Sequence, residues 1–320
     1  ITTIASFTNS GSVETTDAAS TTVTGAAAVF GTDNKNAFSV LRATCATARR
    51  KCWIPSGWYL TTETVEFEGG SIEIEGDGRD NTASSVIVYV GTGPAVYIHP
   101  PSGTYYCYAA NITHLGIACF GGSSSALKLE NVSQADYFRV GMNQIDGAKC
   151  DVGWDLINPN ILRLHRPITQ NCQTAFKISS TGSPDSATNF HLHGGNIYRN
   201  ETIFDLQANT VKFVVDGVCH IEQFTTLVKL NRDTGAADLQ INSFAIDNCE
   251  VTASTGGYTS KLFDVTVPGA NDLIFSNVRF TRNWVFFGES SPALNPIRFT
   301  FGGVGTVVGE MVISGNEFSN

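Results

Sequence analysis

The chain has 320 residues, a formal net charge of −9 and 15% charged residues, with 31 glycines and 20 phenylalanines against 2 methionines, the composition of a β-rich, glycine-turned protein. The negative balance leaves no basic stripe to neutralise phosphates, so nucleic acid is not expected as a partner. No run of about eighteen apolar residues exists to insert into a membrane. Anionic sugars stay open, because a few placed arginines are enough to hold them.

Residues 1–32 are small and polar, rich in Thr, Ser, Ala and Gly, and read as an irregular leader. The chain starts at Ile1 without methionine, so a processed or excised piece is expected, with a signal peptide or a further virion or anchoring domain missing. Residues 33–83 read as a capping helix and opening strands. Phe38, Leu41 and Cys45 recur at helical spacing over 36–48, Asp33 or Asn34 can cap the start, and Arg49-Arg50-Lys51 suits a helix C-terminus. Strands follow at Cys52-Trp-Ile-Pro-Ser-Gly-Trp-Tyr-Leu, Thr64-Val-Glu-Phe and Ser71-Ile-Glu-Ile-Glu-Gly-Asp-Gly. Gly103-Thr-Tyr-Tyr-Cys-Tyr is aromatic enough for an outward sugar-stacking surface, or for ordinary coil packing.

Residues 84–320 read as stacked coils. Between 158 and 316 a short pattern recurs: Ile168-Thr-Gln-Asn-Cys, Ile197-Tyr-Arg-Asn-Glu, Ile246-Asp-Asn-Cys-Glu, Phe280-Thr-Arg-Asn-Trp and Ile313-Ser-Gly-Asn-Glu. Each sets an apolar residue two or three places before an asparagine. Short strands repeating without helices between them are the signature of a solenoid, here a parallel β-helix. Coil starts are expected near Asn111, Val132, Asn158, Ser186, Thr210, Asp238, Asn271 and Asn295. Asn171, Asn200, Asn248, Asn283 and Asn316 are expected to stack in one ladder at one inner turn, since Asn tolerates left-handed backbone and satisfies turn groups.

The eight cysteines form no CxxC pair, so zinc, iron–sulfur and other metal sites or cofactors have no support in the sequence. Most read as reduced core thiols. Short disulfides Cys45–Cys52 and Cys107–Cys119 are the alternative, in a secreted protein.

Asp33, Asn36-Ala-Phe, the short helix, Trp53-Ile-Pro-Ser-Gly-Trp-Tyr-Leu and Ile74-Glu-Gly-Asp-Gly together resemble the opening segment of the pectate-lyase-like superfamily. With the coils behind it, the resemblance covers about nine-tenths of the chain. It departs from the usual form in having Arg-Lys-Cys where Gly-Gly commonly precedes the strand. The resemblance implies an all-β, right-handed, single-stranded parallel β-helix with a short N-terminal capping helix. The polygalacturonase carboxylate pattern and the calcium cluster of pectate lyases are not seen. Among superfamily members the chain looks most like a bacteriophage tailspike depolymerase. That implies a homotrimer on the virion that binds and cleaves bacterial surface polysaccharide, capsule or O-antigen. A secreted extracellular enzyme is the alternative location.

Hydrolysis of a glycan needs two carboxylates at a set separation. Aligning the coils on their asparagines puts Glu222 and Asp247 on adjacent coils, flanked by Arg199 and Arg282. This pair is the expected acid–base couple, with the arginines holding an acidic or acetylated sugar. A second column holds His165, His193 and Asp216, with Arg163 and His191 two residues before the histidines. Asp216 is a further catalytic candidate; His165 and His193 are binding candidates. Asp136, Asp146, Asp151, Trp154 and Asp155 form a third cluster, in which Trp154, like Trp284, can serve as a sugar platform. All three groups also fit an ordinary charged surface. A lyase on a uronic-acid glycan, using Arg199 or Arg282 beside Glu222 or His220, is the alternative to hydrolysis. A β-helix that grips glycan without cutting it is the other. No GxSxG, HExxH or phosphate-loop motif is present.

Overall fold

The structure is a computed structural model describing residues 4–9, 12–15, 32–48, 51–79, 84–102, 104, 106–145, 147–181, 186–210, 212–231, 239–252, 261–267, 273–286, 297–301 and 307–319. The chain divides into two units, Ile1–Phe30 and Gly31–Asn320. In the first, Ile4–Asn9 pairs antiparallel with Ser12–Thr15. This hairpin corrects the expectation of an irregular leader. Its strands carry the β-branched residues Ile4, Thr8, Val13 and Thr15.

The second unit is a right-handed parallel β-helix. Its strands pair in parallel from coil to coil and form three faces, called A, B and C here in chain order within a coil. Face A runs through Glu73–Gly76, Asn111–Thr113, Val132–Phe138 and Asn160–His165, then residues 186–193 and 213–216, Phe244–Asp247 and residues 278–281. Face B runs through Leu115–Phe120, Gly141–Met142 and Ile168–Gln170, then residues 195–198 and 219–222, Glu250–Thr252 and Trp284–Phe286. Face C runs through Ser123–Glu130, Cys150–Ile157 and Cys172–Ser179, then residues 202–206 and 226–231, and Lys261–Val267. Expected coil starts at Asn111, Val132 and Ser186 coincide with strand starts. Asn295 lies outside the described residues; the strand Ile297–Phe301 after it continues face C, and Val307–Ser314 pairs with the strand at 273–281.

Successive side chains on a strand point to opposite sides, so alternate residues fill the core. On face A the inward column Ile74, Ile112, Tyr137, Leu164, Leu192, Val215, Ile246 and Phe280 is in register and buried throughout. Aromatic rings stack up the core in two columns. Trp154, Phe176 and Phe204 lie 5.9 and 5.4 Å apart, and Phe190, Phe213 and Phe244 lie 4.8 Å apart at each step.

The helix Lys35–Ala48 covers the first coil. Asp33 Oδ1 accepts the Lys35 N–H at 3.0 Å and satisfies the free helix start, where the Asn34 carbonyl takes the first intrahelical bond. Phe38 is buried edge-on against Tyr59 with ring centres 6.2 Å apart, which closes an apolar coil end that would otherwise face water. Cys107, Cys119, Cys150, Cys172, Cys219 and Cys249 are reduced and buried, so Cys107–Cys119 is not a disulfide. Cys52 is disulfide-bonded.

The five pattern asparagines occupy two turns, not one. Between faces B and C, Asn171 matches Arg199 in register, and Cys172 matches Asn200. Between faces A and B, Asn248 matches Arg282 and Gly315, and Cys249 matches Asn283 and Asn316. Asn171, Arg199, Asn248 and Arg282 all hold positive φ. The following asparagine does the stitching. Asn283 Oδ1 accepts the Cys249 N–H at 2.9 Å, and its Nδ2 donates to the Ile246 carbonyl at 3.0 Å. Asn200 and Asn316 repeat the pattern on Cys172 with Thr169, and on Asn283 with Phe280. Both corners need one left-handed residue and one amide, so both use the same sequence pattern. Asn283 is 1% exposed. Asn283→Ala leaves a buried N–H and a buried carbonyl unpaired, and is expected to cost about 1–3 kcal/mol. The midpoint of urea unfolding reads this loss; an unchanged midpoint would refute the stitching role.

Candidate active face

Face A carries two outward columns of chemistry. One runs Thr113, Phe138, His165, His193, Asp216, with Asp247 following Ile246 as Asp216 follows Val215. The other holds Asp136, Arg163 and His191 in direct register. The period of two puts Arg163 with His165, and His191 with His193, on the same side of the sheet.

Neighbouring side chains are tied in groups. Arg163 grips Asp136 through Nε at 2.6 Å and Nη2 at 3.3 Å. Asp216 Oδ1 faces both imidazoles, His191 Nε2 at 3.0 Å and His193 Nδ1 at 2.7 Å. Asp247 accepts Arg282 Nε at 2.8 Å and the Thr281 hydroxyl at 2.8 Å, and Arg282 Nη2 closes the fork on its other oxygen. His165 stands between these groups. Its ring centre is 6.3 Å from that of His193, and its Nε2 is 3.9 Å from Asp136.

Charge states follow from these contacts. Partial burial pushes the Asp216 carboxyl up, but the His193 and His191 hydrogen bonds outweigh it and hold the group below the usual carboxylate range. Hydrogen bonding from Arg282, with help from Thr281, holds Asp247 below that range too. Both are ionised at neutral pH. Burial lowers His165 below the ordinary imidazole value; nearby His193, His191 and Arg163 add to this, and Asp136 opposes it. The His165 imidazole is therefore neutral at pH 7 and can accept a proton. The A–B corner beside it carries Arg139 and Arg166, both exposed, and among the described residues no carboxylate pairs with either.

Asp216, Asp247, His165 and His193 thus share one face, with Arg282 at its corner with face B. Glu222 does not. It lies on face B, in register with Tyr198 and Thr252, so Glu222 and Asp247 do not stack. Aligning the coils on their asparagines treats the A–B and B–C corners as one. Glu222 belongs with His220 and Glu250, whose His220 Nδ1 and Glu250 Oε2 are 2.7 Å apart. Arg199 sits at the B–C corner, where its Nε donates to Gln223 Oε1 at 3.3 Å. There it lines a cleft of ≈ 740 Å³ with Lys149, Asp151, Gln173 and Glu201. Trp154 is no sugar platform. It is 0% exposed, stacked in the core on Phe176, with its indole N–H donating to Thr169 Oγ1 at 3.0 Å. Trp284 is exposed on face B, in register with Glu250. Asp136 is on face A, Asp151 is in the cleft, and Asp155 is on face C between Lys128 and Lys177. Asp146, Gly103 and Tyr105 lie outside the described residues.

Sequence reasoning missed Glu250 and the cleft. Glu250 directly follows Cys249 in a quoted repeat, but only the register of face B sets it against His220.

No family model matches the sequence, and no curated protein matches it. Solved parallel β-helices do match in shape. The Acinetobacter phage vB_ApiP_P1 tailspike protein is 13% identical with a TM-score of 0.49, over 85% of this chain and 57% of that one. The chain therefore spans little more than half that tailspike's length. The A-modules of two Azotobacter vinelandii mannuronan C-5 epimerases, AlgE4 and AlgE6, are 12% and 11% identical, with TM-scores of 0.42 and 0.44. They cover 92% and 90% of this chain, and it covers 98% and 96% of theirs. The β-helix itself rests on the strand register, and no activity is carried across from these likenesses.

Proposed function

We propose that face A binds an anionic, uronic-acid polysaccharide and breaks it by β-elimination, with His165 as the base. One observation carries this reading: a neutral imidazole stands on a face whose Asp216 and Asp247 carboxylates are held ionised. Inverting or retaining hydrolysis needs a carboxyl that keeps its proton at working pH. Asp216 and Asp247 are held the other way. Elimination needs only a base and positive charge near the sugar carboxylate. His165 takes the C5 proton, the C5–H electron pair forms the C4=C5 double bond, and the C4–O bond breaks. The departing oxygen keeps the C4–O bonding pair and takes a proton from solvent. Arg139 and Arg166 supply the positive corner.

The test is incubation with polyuronates and with capsule or O-antigen extracts, reading ultraviolet absorbance of the unsaturated uronate. Absorbance rising with chain scission is the expected result. Reducing ends without absorbance would mean hydrolysis and overturn the reading. Deuterium uptake at C5 without scission would keep His165 as the base but replace elimination by epimerisation.

A binding-only reading is favoured by a different feature, the cleft around Arg199 and Lys149, whose lining runs over five coils. Binding that survives without any bond cleavage would support it. The resemblance to tailspikes supports a bacterial surface glycan as the source and a homotrimeric virion spike as the assembly. Light scattering giving a monomer mass would remove the trimer.

A further inference from the structure

We infer that His191, His193 and Asp216 form a binding site for one first-row divalent transition ion of the zinc type. The site is distinct from the base and stands whether or not face A cleaves a glycan. Its three donor atoms, one per residue, all lie within 4.8 Å of one another. Two imidazole nitrogens and a carboxylate oxygen suit zinc, cobalt(II) or nickel(II); calcium and magnesium prefer all-oxygen sites.

The geometry needs little change to take an ion. Zinc holds nitrogen and oxygen at about 2.0–2.2 Å in a tetrahedron, so its ligands sit roughly 3.3 Å apart. Asp216 Oδ1 already faces His191 Nε2 at 3.0 Å and His193 Nδ1 at 2.7 Å. In the neutral tautomers with His191 protonated on Nδ1 and His193 on Nε2, both facing nitrogens present lone pairs. Moving the protons to the far nitrogens frees the ligands without changing net charge.

The donors are also held in place. His191 and His193 alternate on one strand, and Asp216 is the direct register partner of His193 on the next coil, so rigid sheet sets their spacing. His193 rests on bare backbone. A Cβ at Gly217 would meet its imidazole Cε1 and Nδ1 at 2.4 Å, so only glycine there lets the ring lie where it does. Gly217 also has φ +77°, which glycine accepts freely. No ligand motif shows in the sequence because the three donors are not all close together in the chain. Here His193 and Asp216 are 23 residues apart and meet only through coil stacking.

Cobalt(II) titration of the chelator-stripped full chain, followed by visible absorption, tests the site, with zinc binding by calorimetry in excess calcium and magnesium. The expected result is a nitrogen- and oxygen-ligated cobalt spectrum saturating at one equivalent that disappears in His193→Ala. His193→Ala should weaken zinc by at least about 100-fold, beyond the roughly 10–100-fold cost of losing an outer-shell partner. His191→Ala and Asp216→Asn should follow it, with far-ultraviolet circular dichroism confirming that each variant folds. His220→Ala on face B should leave that equivalent in place. Three results would overturn the site: no ion bound by the folded chain, affinity unchanged in His193→Ala, or sulfur-to-cobalt charge-transfer bands that place the ion at the buried cysteines.

Discussion

His165→Gln is expected to lower kcat/KM on a uronic-acid glycan by about 10²–10⁴-fold, the usual contribution of a positioned general base. Glutamine keeps size and hydrogen bonding but cannot take a proton at neutral pH. The wild-type pH profile provides the second readout. A base works when deprotonated, so activity must fall as pH drops through its pKa. Burial holds His165 below the ordinary value of 6.5, so the acid limb should have its midpoint below pH 6.5, and His165→Gln should lose that limb. A limb centred above pH 7, or one that persists in the variant, would show that another group is the base. Arg282→Ala separates the alternatives further. It frees Asp247 from the guanidinium that holds it ionised. Under elimination it leaves the limb where it is; if Asp247 were the titrating catalyst, the limb would move.

Phe213→Ala is expected to destabilise the β-helix by about 3–5 kcal/mol, the range for deleting a buried aromatic ring. Phe213 is 0% exposed and stacks at 4.8 Å on Phe190 below and Phe244 above, with Phe204 edge-on at 5.2 Å. A coil buries its inward residues only against its neighbours, so removing this ring weakens two interfaces at once. Denaturant unfolding should show a lower midpoint. Phe213→Leu, which keeps most of the volume, should recover a large part of the loss. Equal effects of leucine and alanine would mean that ring stacking, rather than filled volume, carries the stability at that layer. Phe213 shares its strand with Asp216 and registers with Phe190, the residue before His191, so a local loss of packing should also blunt activity on face A.

The amino-acid sequence by itself determined the solenoid. Alternating apolar residues, glycine turns and the apolar-before-asparagine pattern each reflect a local backbone requirement, so they can be read one coil at a time. The same is true of the cap: Asp33, Phe38 and Leu41 lie close enough in the chain to show a helix that must cover something. The column of His165, His193 and Asp216 was also legible, because equal spacing from conspicuous core residues carries over from coil to coil. What only the tertiary structure decided was which corner each asparagine turns, and therefore which face each charge joins. Register partners are 23 residues apart at His193 and Asp216 but 34 apart at Asp247 and Thr281. Coils of such unequal length reset the alignment at every loop. Two corners built on the same left-handed residue and the same amide look identical in the sequence, so Glu222 and Asp247 read as neighbours. Strand pairing, which follows backbone hydrogen bonds rather than residue count, puts them on different faces.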